Sequence, residues 1–225
     1  MNRFPVSSNS AAVGQVSALT TNKVLRNTYL LLAATLGFSA AVAGIAMALS
    51  LPYPGVIITL VGYFGLLYAT TKTANSTWGL FWVFALTGFM GLTLGPIVSA
   101  YLKFLPNGHE VVTMALATTA VTFVGLSAYA VKSGRDFSFL GGFLTVGILG
   151  AFVLGLVALF FHLSTLSLVV SGMFVLAMGG LILYETSNII RGGETNYILA
   201  TVTLYVSIYN MFLSLLRLFG AASNR

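Results

Sequence analysis

The sequence predicts an all-α membrane protein in which seven transmembrane helices form one bundle. Of the 225 residues, 58% are hydrophobic and only 6% are charged, and the mean hydropathy is +0.98. A soluble globular domain carries charge on about a quarter of its residues, so a folded surface of this composition would not stay in water. These observations indicate a chain that crosses a membrane several times.

Each of seven apolar runs is long enough to span a bilayer. A transmembrane helix needs about 20 mainly apolar residues. The segments that separate the runs are polar or contain proline and glycine; in chain order they read LPYPG, KTANST, LPNGH, KSGRD, HLS and NIIRGGETN. The predicted spans are residues 25–49, 55–71, 78–102, 111–131, 137–161, 165–185 and 197–219.

The distribution of basic residues predicts the orientation of the bundle. Seven of them lie on the side of the membrane that holds the N-terminus, and three lie on the other side. Cytoplasmic segments of membrane proteins are enriched in Lys and Arg, so we expect the N-terminus in the cytoplasm and the C-terminus outside. The seven are Arg3, Lys23, Arg26, Lys72, Lys132, Arg135 and Arg191, and the three are Lys103, Arg217 and Arg225.

The chain divides into three predicted regions. Residues 1–24 are polar and contain no long apolar run, which is typical of a flexible tail, and the charge distribution places this tail in the cytoplasm. Residues 25–220 form the transmembrane domain, and residues 221–225 form a short C-terminal tail.

Motifs for catalysis, metal binding and nucleic-acid binding are missing from the sequence. His109 and Glu110 begin like the HExxH zinc motif, but Thr113 stands where the second histidine must be. The chain has no cysteine, which excludes thiolate chemistry and cysteine-held metals. Its basic residues are scattered singly, without the patch that binds nucleic acid. We therefore expect no enzyme activity, no cofactor, no metal site and no nucleic-acid partner.

One carboxylate, Glu185, closes the apolar run of the sixth predicted span. An ionisable group in a span is costly, so it is a functional hypothesis by default. If Glu185 faces the bundle, loss of water favours its protonated form, and the residue could then sense protons. If it lies at the membrane surface, it is solvated or caps nearby backbone. The sequence leaves both positions open.

The last predicted span carries a polar stripe formed by Ser207, Asn210 and Ser214, which are spaced to share one helix face. Such a stripe faces protein or water rather than lipid. It either joins neighbouring helices by hydrogen bonds or lines a pore.

Small residues mark one face of the third predicted span. Gly88, Gly91 and Gly95 are spaced to lie on the same side of a helix, and small residues let helix backbones approach closely within a membrane. Pro96 follows directly and predicts a kink, which is either a static bend or a gating hinge.

Several of these strings together resemble the Bax inhibitor family, also called the transmembrane Bax-inhibitor-motif family. The resemblance is carried by YET at 184–186, LYVSIYNMF at 204–212, LLR at 215–217, DFSFLGG at 136–142 and GFMG at 88–91. It covers most of the chain and implies a bundle of seven transmembrane helices.

Longer strings resemble a bacterial branch of this family whose members modulate FtsH, an ATP-dependent protease of the inner membrane. They are KVLRNTY at 23–29, KTAN at 72–75, ETSNII at 185–190 and GGETNY at 192–197. The resemblance implies a bacterial inner-membrane location with a periplasmic C-terminus. It also implies FtsH as the partner, with the membrane accessory proteins of FtsH as further candidates. A slowly extracted substrate, seized by residues 1–22, would restrain the protease by occupying it.

The family resemblance also implies an alternative function, a pH-sensitive calcium or cation leak. Pore-forming members use two aspartates that share a proton and open the path when ionised. The first aspartate falls on Glu185, and the second falls on Ser207, which cannot ionise. Because coupled titration needs two interacting carboxyl groups, this departure weakens the channel hypothesis. If Glu185 does not control a leak, we expect it to be a structural group that hydrogen-bonds to Ser207 or Asn210.

Overall fold

The computed structural model describes the backbone of residues 8–223 and the side chains of residues 22–223. Within that part of the chain it is all-helical, without strands. The helices are α1 (Ser8–Ala48), α2 (Val56–Thr73), α3 (Trp78–Phe104), α4 (Gly108–Ser133), α5 (Leu140–Phe160), α6 (Ser164–Ile190) and α7 (Tyr197–Ser223). The predicted fold class is therefore confirmed for its helical nature and its number of spans.

All seven helices are long and apolar enough to cross a membrane, and in α1 the membrane-spanning part is Asn22–Ala48. Apart from the start of α1, the largest difference from the predicted ends is in α6, which continues beyond Glu185 to Ile190. The added residues Thr186, Ser187 and Ile189 are buried against other helices. This last part of α6 is helical because it packs on protein. The end of the apolar run in the sequence did not indicate this packing.

The predicted tail overlaps the first helix, because α1 begins at Ser8. The boundary predicted at residue 24 falls within this helix, and residues 1–7 lie outside the described residues. The flexibility of the tail stays a prediction.

Helix α7 lies at the centre of the bundle. It packs against α1, α3, α4 and α6, and its buried residues lie on several faces of the helix rather than along one stripe. By contrast, α2 exposes Ile57, Ile58 and Val61, as expected of a peripheral helix that faces lipid. The side chains of α7 therefore meet protein on most sides, where polar groups must find partners within the bundle.

The glycine face of α3 packs directly on α1. A Cβ atom on Gly91 would collide with the backbone carbonyl of Ser39, and one on Gly95 would lie 2.7 Å from the carbonyl oxygen of Ala43. A Cβ on Gly88 would lie 2.8 Å from the ring of Phe38. At Gly91 and Gly95 the two backbones approach so closely that only glycine fits, whereas at Gly88 the neighbour is a side chain.

Pro96 lies inside α3, which continues beyond it to Phe104. A hinge at this position stays a prediction.

Candidate functional site

The candidate site lies near the end of α6, where Glu185 is buried. Its side chain is only 5% exposed, because α6 continues past it and turns this residue toward the bundle. Its Oε1 atom is buried and has no hydrogen-bond partner among the described residues. Of the two positions that the sequence left open, the structure therefore shows the one facing the bundle. A buried carboxyl oxygen without a partner is costly, which makes Glu185 the main candidate for function.

The residues that follow Glu185 attach the end of α6 to its surroundings. Thr186 Oγ1 is 3.3 Å from the hydroxyl of Tyr29 in α1. Ser187 Oγ donates a hydrogen bond of 3.0 Å to the carbonyl of Arg135 and accepts one of 3.3 Å from the N–H of Phe137. The α4–α5 loop is thereby held against α6 by Ser187, two residues from Glu185.

A second loop contact is made by Asn196, which directly precedes α7. Its Oδ1 accepts hydrogen bonds from the N–H groups of Ile198 at 2.9 Å and Leu199 at 3.3 Å, as a helix N-cap does. Its Nδ2 donates to the carbonyl of Ala74 at 3.1 Å and to Asn75 Oδ1 at 2.8 Å. One side chain therefore caps the central helix and binds the α2–α3 loop.

Together these contacts join three loops on one side of the bundle, which we call the three-loop face: residues 74–77, 134–139 and 191–196. Arg191 contributes through its Nε atom, 3.7 Å from Asp136 Oδ1, and through Nη2, which donates to the Gly134 carbonyl at 3.4 Å. Both charged side chains are about half exposed, at 48% and 50%, so their ion pair contributes little to stability.

The surroundings of Asp136 in the three-loop face lower the pKa of this carboxyl group. The N–H of Ser138 donates to its Oδ1 at 2.9 Å, and this bond, with a smaller contribution from Arg191, lowers the pKa of Asp136 below its ordinary value of 3.8. The lower pKa links the stability of the loop to pH. The stabilisation is present at pH values above the ordinary pKa of Asp136, and it is lost as the pH falls through the lower pKa of the folded protein. The loop contact therefore persists throughout the physiological range.

Two residues of the polar stripe of α7, Ser207 and Asn210, make hydrogen bonds within their own helix. Ser207 Oγ donates to the Thr203 carbonyl at 2.7 Å, and Asn210 Nδ2 donates to the Val206 carbonyl at 2.9 Å. Among the described residues, neither side chain is hydrogen-bonded to Glu185. The structure thus brings Ser207 into the buried centre of the bundle, but does not join it to the carboxylate.

Two tyrosines of α7 form interhelical contacts that sequence reasoning did not assign. The hydroxyl of Tyr205 is 2.6 Å from Ser39 Oγ in α1 and donates to the Thr87 carbonyl in α3 at 3.3 Å. One turn further on, the hydroxyl of Tyr209 is 3.1 Å from Thr93 Oγ1 in α3. The sequence shows isolated hydroxyl-bearing residues in apolar spans, which indicates hydrogen bonds between helices. It does not show which of these residues contact one another.

The chemistry open to this site is limited to one buried carboxyl group. No group of three His, Asp or Glu side chains that could hold a metal ion occurs among the described residues. Glu185 can exchange a proton with its surroundings. It cannot share a proton with a second carboxyl group at position 207, because that residue is a serine.

Seven helices that are each long and apolar enough to cross a membrane define a polytopic membrane protein. The family model described as "Inhibitor of apoptosis-promoting Bax1" matches residues 21–224, so the chain belongs to the Bax inhibitor family. This finding confirms the family resemblance seen in the sequence.

Relatives of high identity cover nearly the whole chain. The protein PA2604 of Pseudomonas aeruginosa is 56% identical over 199 residues, which are 88% of this chain and 89% of that protein. The modulator of FtsH protease YccA of Escherichia coli K12 is 51% identical over 215 residues, 95% of this chain and 97% of YccA. The inner membrane protein YccA of a second E. coli strain matches equally. With its seven spans, the chain is a multi-pass protein of the bacterial inner membrane.

Proposed function

We propose that this protein binds and restrains the ATP-dependent membrane protease FtsH, with the N-terminus in the cytoplasm. The observation that carries the proposal is its 51% identity, over 95% of the chain, to a protein named as a modulator of that protease. The charge distribution supports the orientation, because six of the basic residues outside the N-terminal segment 1–22 lie on or next to the three-loop side: Lys23, Arg26, Lys72, Lys132, Arg135 and Arg191.

The proposed mechanism is occupancy by a substrate that is extracted slowly. The protease would seize residues 1–22 and pull the spans out of the membrane one after another. Packing supports a slow extraction, since α3 lies in backbone contact with α1 at Gly91 and Gly95 and α7 is surrounded by α1, α3, α4 and α6. Such contacts must separate as each helix leaves, which raises the barrier to unfolding. FtsH held in this state acts more slowly on its other substrates.

Deletion of residues 3–20 tests the N-terminal handle. We expect the half-life of the deleted protein to lengthen several-fold in cells with active FtsH, because the protease has no segment to engage. Pulse-chase labelling measures the half-life, and degradation of a second membrane substrate measures restraint. The second substrate should be degraded faster once the handle is gone.

Two controls make this experiment specific. Cells with an ATPase-inactive FtsH should show equal half-lives for the intact and the deleted protein, and membrane fractionation should find both fully inserted. An unchanged half-life of an inserted, folded deletion variant in cells with active FtsH would refute the handle.

One observation favours a second candidate function, a pH-sensitive leak of calcium or other cations. Glu185 Oε1 is buried without a partner among the described residues, and ionisable groups inside a bundle are typical of ion pathways. Ser207 argues against the leak function, because its hydroxyl group cannot supply the second charge of a coupled pair.

Calcium flux into liposomes separates the two functions. Under the protease-modulator proposal, we expect no flux above that of empty liposomes in mildly acidic or mildly alkaline buffer. The matched variant is Glu185→Gln, which keeps the side-chain shape and removes the ionisable group. Flux that changes with pH in the intact protein and disappears in Glu185→Gln would make the leak the leading function.

A further inference from the structure

Arg217 is a cation on the outer surface of the central helix. It lies within the last two turns of α7, which ends at Ser223, and its side chain is exposed although much of α7 is buried. Its Nη1 atom donates a hydrogen bond of 2.8 Å to Ser167 Oγ in the first turn of α6. The guanidinium group is therefore held at the membrane boundary on the side of the bundle opposite the three-loop face.

Arg217 has no carboxylate side chain as a partner among the described residues. The side chains of all four Asp and Glu residues are described, and the one ion pair among the described residues joins Arg191 to Asp136 on the three-loop face. An arginine near the end of a span reaches the membrane surface, where an anionic group can pair with it. Arginine has five N–H donors in a planar fork, which matches the oxygens of a phosphate group.

A cleft of about 420 Å³ opens beside this guanidinium group. Its polar end is formed by Arg217, Ser167 and His162, and its apolar wall by Val56 at the beginning of α2 and by Gly155 and Ala158 near the end of α5. Helix α5 ends at Phe160 and α6 begins at Ser164, which places the polar end at the level of the lipid headgroups. The cleft thus combines a phosphate-binding group with space for hydrocarbon.

We propose that this cleft, which we call the Arg217 cleft, binds an anionic membrane phospholipid. The phosphate accepts hydrogen bonds from Arg217, and one acyl chain lies along the wall formed by α2 and α5. The lining residues include no carboxylate, so the ammonium group of a zwitterionic lipid has no partner there. The cleft therefore prefers phosphatidylglycerol to phosphatidylethanolamine. Ser167 is a positioning residue, which orients the guanidinium group.

The test measures phosphatidylglycerol bound to the full chain, purified in mild detergent, by native mass spectrometry. We expect Arg217→Gln to weaken binding about tenfold, the size of effect expected for a charge-assisted hydrogen bond. Arg217→Lys should keep part of the affinity, and Ser167→Ala should reduce it less than Arg217→Gln does. The matched control is Lys103→Gln, which removes another exposed cation outside the cleft lining and should leave binding unchanged.

Two further arms identify the source of the phosphate group. Phosphatidylethanolamine should bind more weakly than phosphatidylglycerol, and millimolar inorganic phosphate should not displace the lipid, because it makes no contact with the apolar wall. The proposal is overturned if Arg217→Gln binds as the intact protein does, if Lys103→Gln loses as much affinity, or if inorganic phosphate alone displaces the lipid. A melting temperature within a few degrees of the intact protein verifies that each variant is folded.

Discussion

Replacement of Gly91 by alanine is expected to lower the free energy of unfolding by about 1–3 kcal/mol, the usual cost of forcing extra volume into a well-packed interior. The added Cβ would collide with the Ser39 carbonyl, and lie 2.9 Å from Ser39 Oγ. The backbone of α1 cannot yield as a flexible side chain can, so the two helices must separate. Separation also disturbs the bond between Ser39 and Tyr205, which joins α1 to the central helix.

Thermal unfolding of the purified protein in detergent measures this effect. Gly37→Ala in α1 is the matched control, because a Cβ at that position meets no atom within 4 Å. Alanine favours a helix over glycine by about 1 kcal/mol, so the control should be as stable as the intact protein or more stable. Equal melting temperatures for the two variants would show that α1 and α3 are not in backbone contact at Gly91.

Replacement of Asn196 by alanine is expected to cost about 2–3 kcal/mol. Loss of an N-cap side chain costs about 1 kcal/mol, and each hydrogen bond lost to the α2–α3 loop costs about 1 kcal/mol. The alanine variant loses the cap of α7 and both bonds, to Ala74 and to Asn75. Limited proteolysis should accordingly cut the α2–α3 loop faster than in the intact protein.

Asn196→Asp separates the two roles of this side chain. Aspartate caps a helix about as well as asparagine but has no N–H to donate to the loop, so we expect a melting temperature between those of the intact protein and Asn196→Ala. If the aspartate variant were as stable as the intact protein, the loop bonds would contribute nothing. If it were as unstable as the alanine variant, the cap would contribute nothing.

The number and type of the helices could be predicted because the bilayer imposes them. Each span must be long enough to cross the hydrocarbon core and must satisfy its own backbone hydrogen bonds, so seven apolar runs indicate seven helices. The family could also be recognised from the sequence, since strings such as ETSNII and GGETNY resemble those of family members residue by residue. These are local properties, and no tertiary contact is needed to recognise them.

The surroundings of Glu185 could not be predicted in this way. The apolar run ends at this residue, whereas α6 continues to Ile190 because Thr186, Ser187 and Ile189 pack against protein. Sequence reasoning offered Ser207 and Asn210 as partners, yet both donate to carbonyls of their own helix. Which donor meets which acceptor depends on the rotation of each helix about its axis, and hydropathy does not report that rotation.

The sequence by itself determined that the chain is a seven-span membrane protein, which residues are small enough for close helix contact, and which carboxylate stands in a span. Only the tertiary structure decided that α7 is the central helix, that the glycines of α3 meet the backbone of α1, and that Arg217 borders a cleft while Glu185 is buried. The physical reason is that lipid and protein interior are both apolar. An apolar sequence therefore records that a helix is in the membrane, but not which of its faces touches another helix.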